Sequence, residues 1–98
     1  MAITKQYLKS KPICKVTFSV PAEEAKEVSV LGCFNEWNAE KAVKLKKLKN
    51  GTFKGTVDLA KDDSYEFRYL VDGTFVNDAH ADAYVANQFG AENAVMNL

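Results

Sequence analysis

The stretch Tyr65-Glu66-Phe67-Arg68-Tyr69-Leu70-Val71-Asp72-Gly73 decides the fold class. Tyr65, Phe67, Tyr69 and Val71 recur at every second position, with Glu66, Arg68 and Leu70 between them. A period of two belongs to an extended strand with one face in a core, whereas a helix repeats its apolar face every three to four residues. Asp72-Gly73 follows directly, and this pair tolerates the positive φ that a two-residue hairpin turn demands. Thr74 to Asn77 is then the short return strand.

The same alternation runs outward from this segment. Cys14, Val16, Phe18 and Val20 alternate with Lys15, Thr17 and Ser19 until Pro21, which lacks the N–H needed to continue a ladder. Val28 and Val30 open another strand that meets Gly32, where a bend or bulge is expected. Residues 43 to 49 read as a short strand that Asn50-Gly51 turns back into Phe53, Gly55, Val57 and Leu59, the two strands pairing antiparallel. A turn is the most helical feature, around Ala22 to Lys26. Residues 78 to 93 form a long excursion rich in Ala, Asn and Asp, and Ala94 to Leu98 a last strand. The expectation is an all-β, immunoglobulin-like sandwich of about seven antiparallel strands.

The chain has 98 residues, 47% hydrophobic and 27% charged, the size and composition of one domain over residues 1–98. Its 13 basic and 13 acidic residues cancel, so no overall field draws nucleic acid or an anionic membrane to it. Lys41, Lys44, Lys46, Lys47 and Lys49 are either an anion patch or a solvated strand that resists edge pairing. There is no run of apolar residues long enough to span a membrane and no apolar stretch behind the first lysines, which points to the cytoplasm. Cys14 and Cys33, separated by 18 intervening residues and accompanied by a single histidine, read as reduced thiols and not as a metal site.

Candidate binding residues stand outside the alternation. Trp37, the only tryptophan, lies between Asn35 and Asn38 in a segment that reads as a loop. Its flat, electron-rich face suits the C–H groups of a pyranose ring, and the competing reading makes it a cap on the core. Phe75 follows the Asp72-Gly73 turn, which resets the register and leaves its face open. Arg68, opposite the aromatic face, offers a planar fork of donors to sugar hydroxyls or a cross-strand partner to an acid such as Glu66. Asn87 to Asn93 surrounds Phe89 with amides. Asn77, Asp78, His80 and Asp82 suggest a metal or acid-base cluster, but their irregular spacing favours a surface loop holding its own backbone turns. No pair of acids stands out as a glycosidase pair, and no nucleophile triad or phosphate loop is present, so no enzyme activity and no cofactor are expected.

Three blocks in order resemble the glycogen- and starch-binding early-set domains, found in the β subunit of AMP-activated kinase and at the amino termini of isoamylases and branching enzymes. They are Val28 to Trp37, Tyr65 to Gly73, and Asn77-Asp78 followed by Asn87-Gln88-Phe89-Gly90-Ala91-Glu92-Asn93, and the resemblance spans about residues 16–98. It implies an immunoglobulin-like sandwich that binds α-1,4-glucan without catalysis. It also implies that Trp37 and Phe75 stack on glucose rings, that Arg68 and Asn93 hydrogen-bond hydroxyls, and that Phe89 inserts beside the glucan. Phe75 stands where kinase-type members carry tryptophan, Ala91 where they carry threonine, and Cys33 where serine or aspartate is usual. The wording of the third block is closer to the isoamylase-associated branch, which implies the alternative of a structural or protein-interaction domain beside a glucan-processing enzyme such as a glycoside hydrolase.

Overall fold

A computed structural model describes residues 2–78, 80–87 and 90–98. Ten strands are present among them: β1 (Ala2–Tyr7), β2 (Ile13–Pro21), β3 (Val28–Gly32), β4 (Val43–Lys44), β5 (Lys46–Lys47), β6 (Thr52–Ala60), β7 (Ser64–Val71), β8 (Thr74–Val76), β9 (Ala83–Ala86) and β10 (Glu92–Asn97). They form two antiparallel sheets, one in the order β1-β2-β6-β5, the other β4-β3-β7-β10-β9 with β8 paired to β7. The all-β sandwich expected from the alternation is the architecture the chain adopts.

The alternating residues of β2 and β7 meet face to face in the core. Cys14, Val16, Phe18 and Val20 come from one sheet, and Val28, Val30, Phe67, Tyr69, Ala94 and Met96 from the other. Phe18 lies 5.7 Å from Phe67 and 6.1 Å from Tyr69, ring centre to ring centre, and Phe67 lies 5.7 Å from Tyr69. These tilted and edge-on contacts contribute about 0.5–1.5 kcal/mol per pair beyond the area they bury, so this triangle joins the two sheets.

Three elements depart from the expected seven strands, each for a tertiary reason. β1 is hidden in the sequence because an inward position is a lysine. Lys5 pairs with Val16 in register, yet its ammonium donates to Asp82 Oδ2 at 2.6 Å and to the Asn97 carbonyl at 2.9 Å, which replaces the hydration it loses. The expected strand over 43 to 49 is two strands in different sheets. At Leu45 the chain changes sides: its N–H still reaches the Val28 carbonyl of β3, while Lys46 already pairs with Lys54 of β6. Gly55 permits this corner, because a Cβ there would stand 2.6 Å from the Leu45 side chain. Pairing of 43–49 with 53–59 therefore holds for β5 alone. β9 lies inside the polar excursion, held by the Asp82 N–H on the Val95 carbonyl and by register with β10.

Both short lysine-bearing strands are sheet edges, and Lys44, Lys46 and Lys47 are exposed, the placement that discourages strand addition. Cys14 is a buried thiol and Cys33 an exposed one. No helix among the described residues is long and apolar enough to cross a membrane.

Candidate functional site

The outer face of the six-stranded sheet collects most of the residues singled out in the sequence. β3 ends at Gly32, opposite Phe67. No other residue fits there, because a Cβ would meet the Glu66 carbonyl oxygen at 2.4 Å and the Phe34 ring at 2.6 Å. The chain then makes a single 3-10 turn, Cys33–Asn35. Asn35, buried, folds back on the strand it has just left. Its Oδ1 accepts the Gly32 N–H at 3.0 Å and its Nδ2 donates to the Val30 carbonyl at 3.1 Å. The Trp37 N–H closes the loop on the Gly32 carbonyl at 3.0 Å.

This staple holds Glu36 and Trp37 in the left-handed region, at φ 60° and 56°. Non-glycine residues there cost about 1 kcal/mol or more each and persist only where neighbours over-determine them. Trp37 is 37% exposed, so part of the residue reaches solvent. Glu36 beside it pairs with Lys41 at 3.4 Å on the open surface, a contact that contributes little.

Phe75 sits three residues further along β7, opposite Leu70, about 10 Å from the level of Gly32. It is 46% exposed, which resolves the face that the turn left open. Asp72 and Gly73 adopt φ 47° and 86° as the hairpin requires. The Asp72 carboxylate also accepts the Lys26 and Glu27 N–H groups at 2.9 and 2.8 Å. Those bonds, the Glu27 one foremost, hold its carboxyl below the usual aspartate range.

Arg68 points outward as expected, but its partner is neither Glu66 nor another acid. Its guanidinium carbon lies 5.0 Å from the centre of the Phe75 ring, a cation–π contact with a ring that is itself exposed. Asn93 reaches the same face. Its Nδ2 donates to Glu66 Oε1 at 3.2 Å and its Oδ1 accepts from Asn87 Nδ2 at 3.1 Å. Asn87 Oδ1 in turn accepts the Ala91 N–H at 3.1 Å, so the amides form a chain along the loop before β10. Phe89 lies outside the described residues.

In the Asn77, Asp78, His80 and Asp82 group the loop holds its own turn as expected, through the His80 N–H on Asp78, and His80 and Asp82 are exposed, but Asp78 departs from a surface position. Asp78 is fully buried; its carboxylate accepts the Tyr69 hydroxyl at 2.7 Å and the His80 N–H at 2.8 Å. Burial, then the bond to Asp78, drives the Tyr69 phenol far above its usual range. Alternation placed Tyr69 in the core, but nothing local signalled that its hydroxyl would need a buried acid nine residues on. Asp82 is occupied with Lys5 and the Asn97 N–H, which hold its carboxyl below the usual range. Among the described residues no group of three or more His, Cys, Asp or Glu could hold a metal ion.

With this geometry in place, comparison with known families is decisive. Residues 15–98 match the family described as the glycogen recognition site of AMP-activated protein kinase. The chain belongs to that family. No curated protein matches the chain. Glycogen recognition modules are carbohydrate-binding modules, and the sandwich described above is the fold expected of one. The sequence marks Asn35 and Asn87 as amides near aromatics and Glu66 as an acid near Arg68, but it carries no signal that Asn35 bonds back to Gly32 and Val30 or that Glu66 and Asn87 both bond Asn93.

Proposed function

We propose that the chain binds α-1,4-glucan, such as glycogen, starch or maltodextrin, and does not act on it chemically. Trp37 and Phe75 are the stacking platforms, while Arg68 and Asn93 hydrogen-bond hydroxyls between or beside them, and Phe89 takes the role of the apolar residue that inserts beside the glucan. The observation that carries this reading is the exposed Phe75 ring stacked on the Arg68 guanidinium. The cation braces the ring, the ring is exposed enough to serve a hexose as a platform, and the Asn93 amide, oriented by Glu66, stands two positions away along β7 on the same outer face.

Glycoside hydrolysis calls for a carboxyl raised by burial facing a second across a cleft. The carboxyls of Asp72 and Asp82 are instead lowered by the bonds they accept, and Glu66 is engaged with Asn93. An open, shallow face removes little surface from water, so the expected Kd for maltoheptaose is roughly 10–1,000 μM. Titration of maltoheptaose into the chain, following the fluorescence of its sole tryptophan, tests the reading. No change up to millimolar sugar would count against it.

One observation favours a second reading, a domain that docks on a glucan-processing enzyme such as a glycoside hydrolase. β9 is the edge of its sheet and carries exposed Tyr84 and Val85, a strand that another chain could extend. Retention of such an enzyme by the immobilised chain, indifferent to excess maltodextrin and to Trp37→Ala but lost on charging Val85, would favour it.

A further inference from the structure

β8 and β10 both pair with β7, β8 through Tyr69↔Val76 and β10 through Ala94↔Phe67. Continuing each ladder by one residue brings Asn77 and Asn93 abreast of Arg68, which therefore stands where the two strands meet. Asn77 Nδ2 donates to the Glu92 carbonyl and ties the strand ends together. A carbonyl oxygen only accepts, so this bond assigns the amide and leaves Oδ1 as its other end.

Arg68 Nε and Asn77 Oδ1 are the two buried side-chain polar atoms with no hydrogen-bond partner among the described residues. One is a donor and the other an acceptor, and the register brings both to one junction. Buried groups of this kind are normally paired, and each exception calls for an explanation, an ordered water or a functional contact among them. Neither an apolar group nor an anion suits both atoms, since Asn77 Oδ1 repels an anion as firmly as Arg68 attracts it. A hydroxyl accepts from the first and donates to the second.

We propose that Arg68 Nε and Asn77 Oδ1 form a subsite for one hydroxyl group of the sugar, at the edge of the Phe75 stack. This inference rests on the glucan reading and adds Asn77 to its residues. Phe75 marks the place on the surface, since its exposed ring stacks on the guanidinium of the same Arg68. A glucose ring stacked on Phe75 would bring a neighbouring hydroxyl toward the pair. A site built this way discriminates against sugars that lack the hydroxyl, because the two atoms would stay unpaired.

The test is a cycle of Asn77→Ala, Arg68→Lys and the double variant, each titrated with maltoheptaose by calorimetry and unfolded by heat. Arg68→Lys keeps the positive charge and removes the Nε donor. Each single change should weaken binding about tenfold, the loss of one ligand hydrogen bond in a shared pair. The double variant should bind little worse than either single one, because both atoms serve the same hydroxyl. Asn77→Ser carries the same expectation where Asn77→Ala does not fold. Unchanged affinity with a lowered Tm in the Asn77 variants would overturn the subsite, leaving a purely structural amide, and so would losses that simply add. A wild-type chain with no response to maltoheptaose overturns the glucan reading and the subsite together, whereas a response that survives Asn77→Ala overturns the subsite alone.

Discussion

The outer face of the four-stranded sheet runs Thr4, Thr17 and Thr56 across three strands in register, with Lys15 opposite Asp58 and Ser19 opposite Lys54. The outer face of the six-stranded sheet follows the same alternation but sets Leu31 against Arg68 and Val95 against Glu66. On the first face, short polar side chains satisfy one another or water, as in the 3.1 Å contact between the Thr17 and Thr56 hydroxyls. On the second, Leu31 and Val95 are only 2% and 8% exposed although they point away from the core. That face is covered, and the exposed Phe75 ring stands out above it. The two outer faces of this fold thus differ in whether apolar side chains lie on the sheet beneath the polar ones.

The contrast breaks most visibly if the turn that leaves β3 is forced open. Gly32→Ala pushes a methyl against the Glu66 backbone oxygen, which cannot rotate away. A loss of about 2–3 kcal/mol in urea unfolding is expected, with a parallel loss of sugar binding as Trp37 shifts. Asn35→Ala attacks the same turn from its other side. It removes the acceptor of the buried Gly32 N–H and a donor to the Val30 carbonyl, so about 2 kcal/mol of stability should go in the same measurement.

Removing the platform while keeping the sheet sharpens the comparison. Phe75→Ala should weaken maltoheptaose binding about tenfold in a fluorescence titration, with little change in Tm, because the exposed ring contributes more to a ligand than to the core. Equal losses of affinity and stability would mean the ring belongs to the fold.

Acid should act on the binding side through Asp72. Its carboxyl is lowered by the Glu27 and Lys26 N–H bonds, so the stabilisation is fully present above the ordinary aspartate range and is lost as pH falls through the lower folded value. Between about pH 5 and 2 the wild-type Tm should therefore fall more steeply than that of Asp72→Asn, which keeps a residue suited to the turn. The smallest effect belongs to the other face: Thr56→Ala, which removes an exposed hydroxyl contact, should change stability by no more than about 0.5 kcal/mol and leave maltoheptaose binding untouched.

Local pattern carried β2, β3, β6, β7 and β10, because in each the inward residues are apolar and recur with period two, and the Asp72-Gly73 turn carried β8. It failed for β1, where Lys5 occupies an inward position made tolerable only by Asp82 and Asn97, and at Leu45, where one apparent strand divides between two sheets. For the site, the sequence showed the aromatics and the basic residue but not what orients them. Asn35, Glu66 and Asn87 are ordinary polar residues until the fold sets them beside Gly32, Asn93 and Ala91.

By itself the sequence determined an all-β chain, its central hairpin and the residue types available to a sugar, since these depend on periodicity and on dihedral preferences that neighbours in the chain impose. Only the tertiary structure decided that Arg68 stacks on Phe75 and that Asp78 is buried beneath Tyr69. It alone brought Asn77 and Asn93 to one junction on β7. Those outcomes turn on which strands become neighbours across a sheet, and side chains distant in the chain can satisfy or strand one another's polar groups only after that pairing exists.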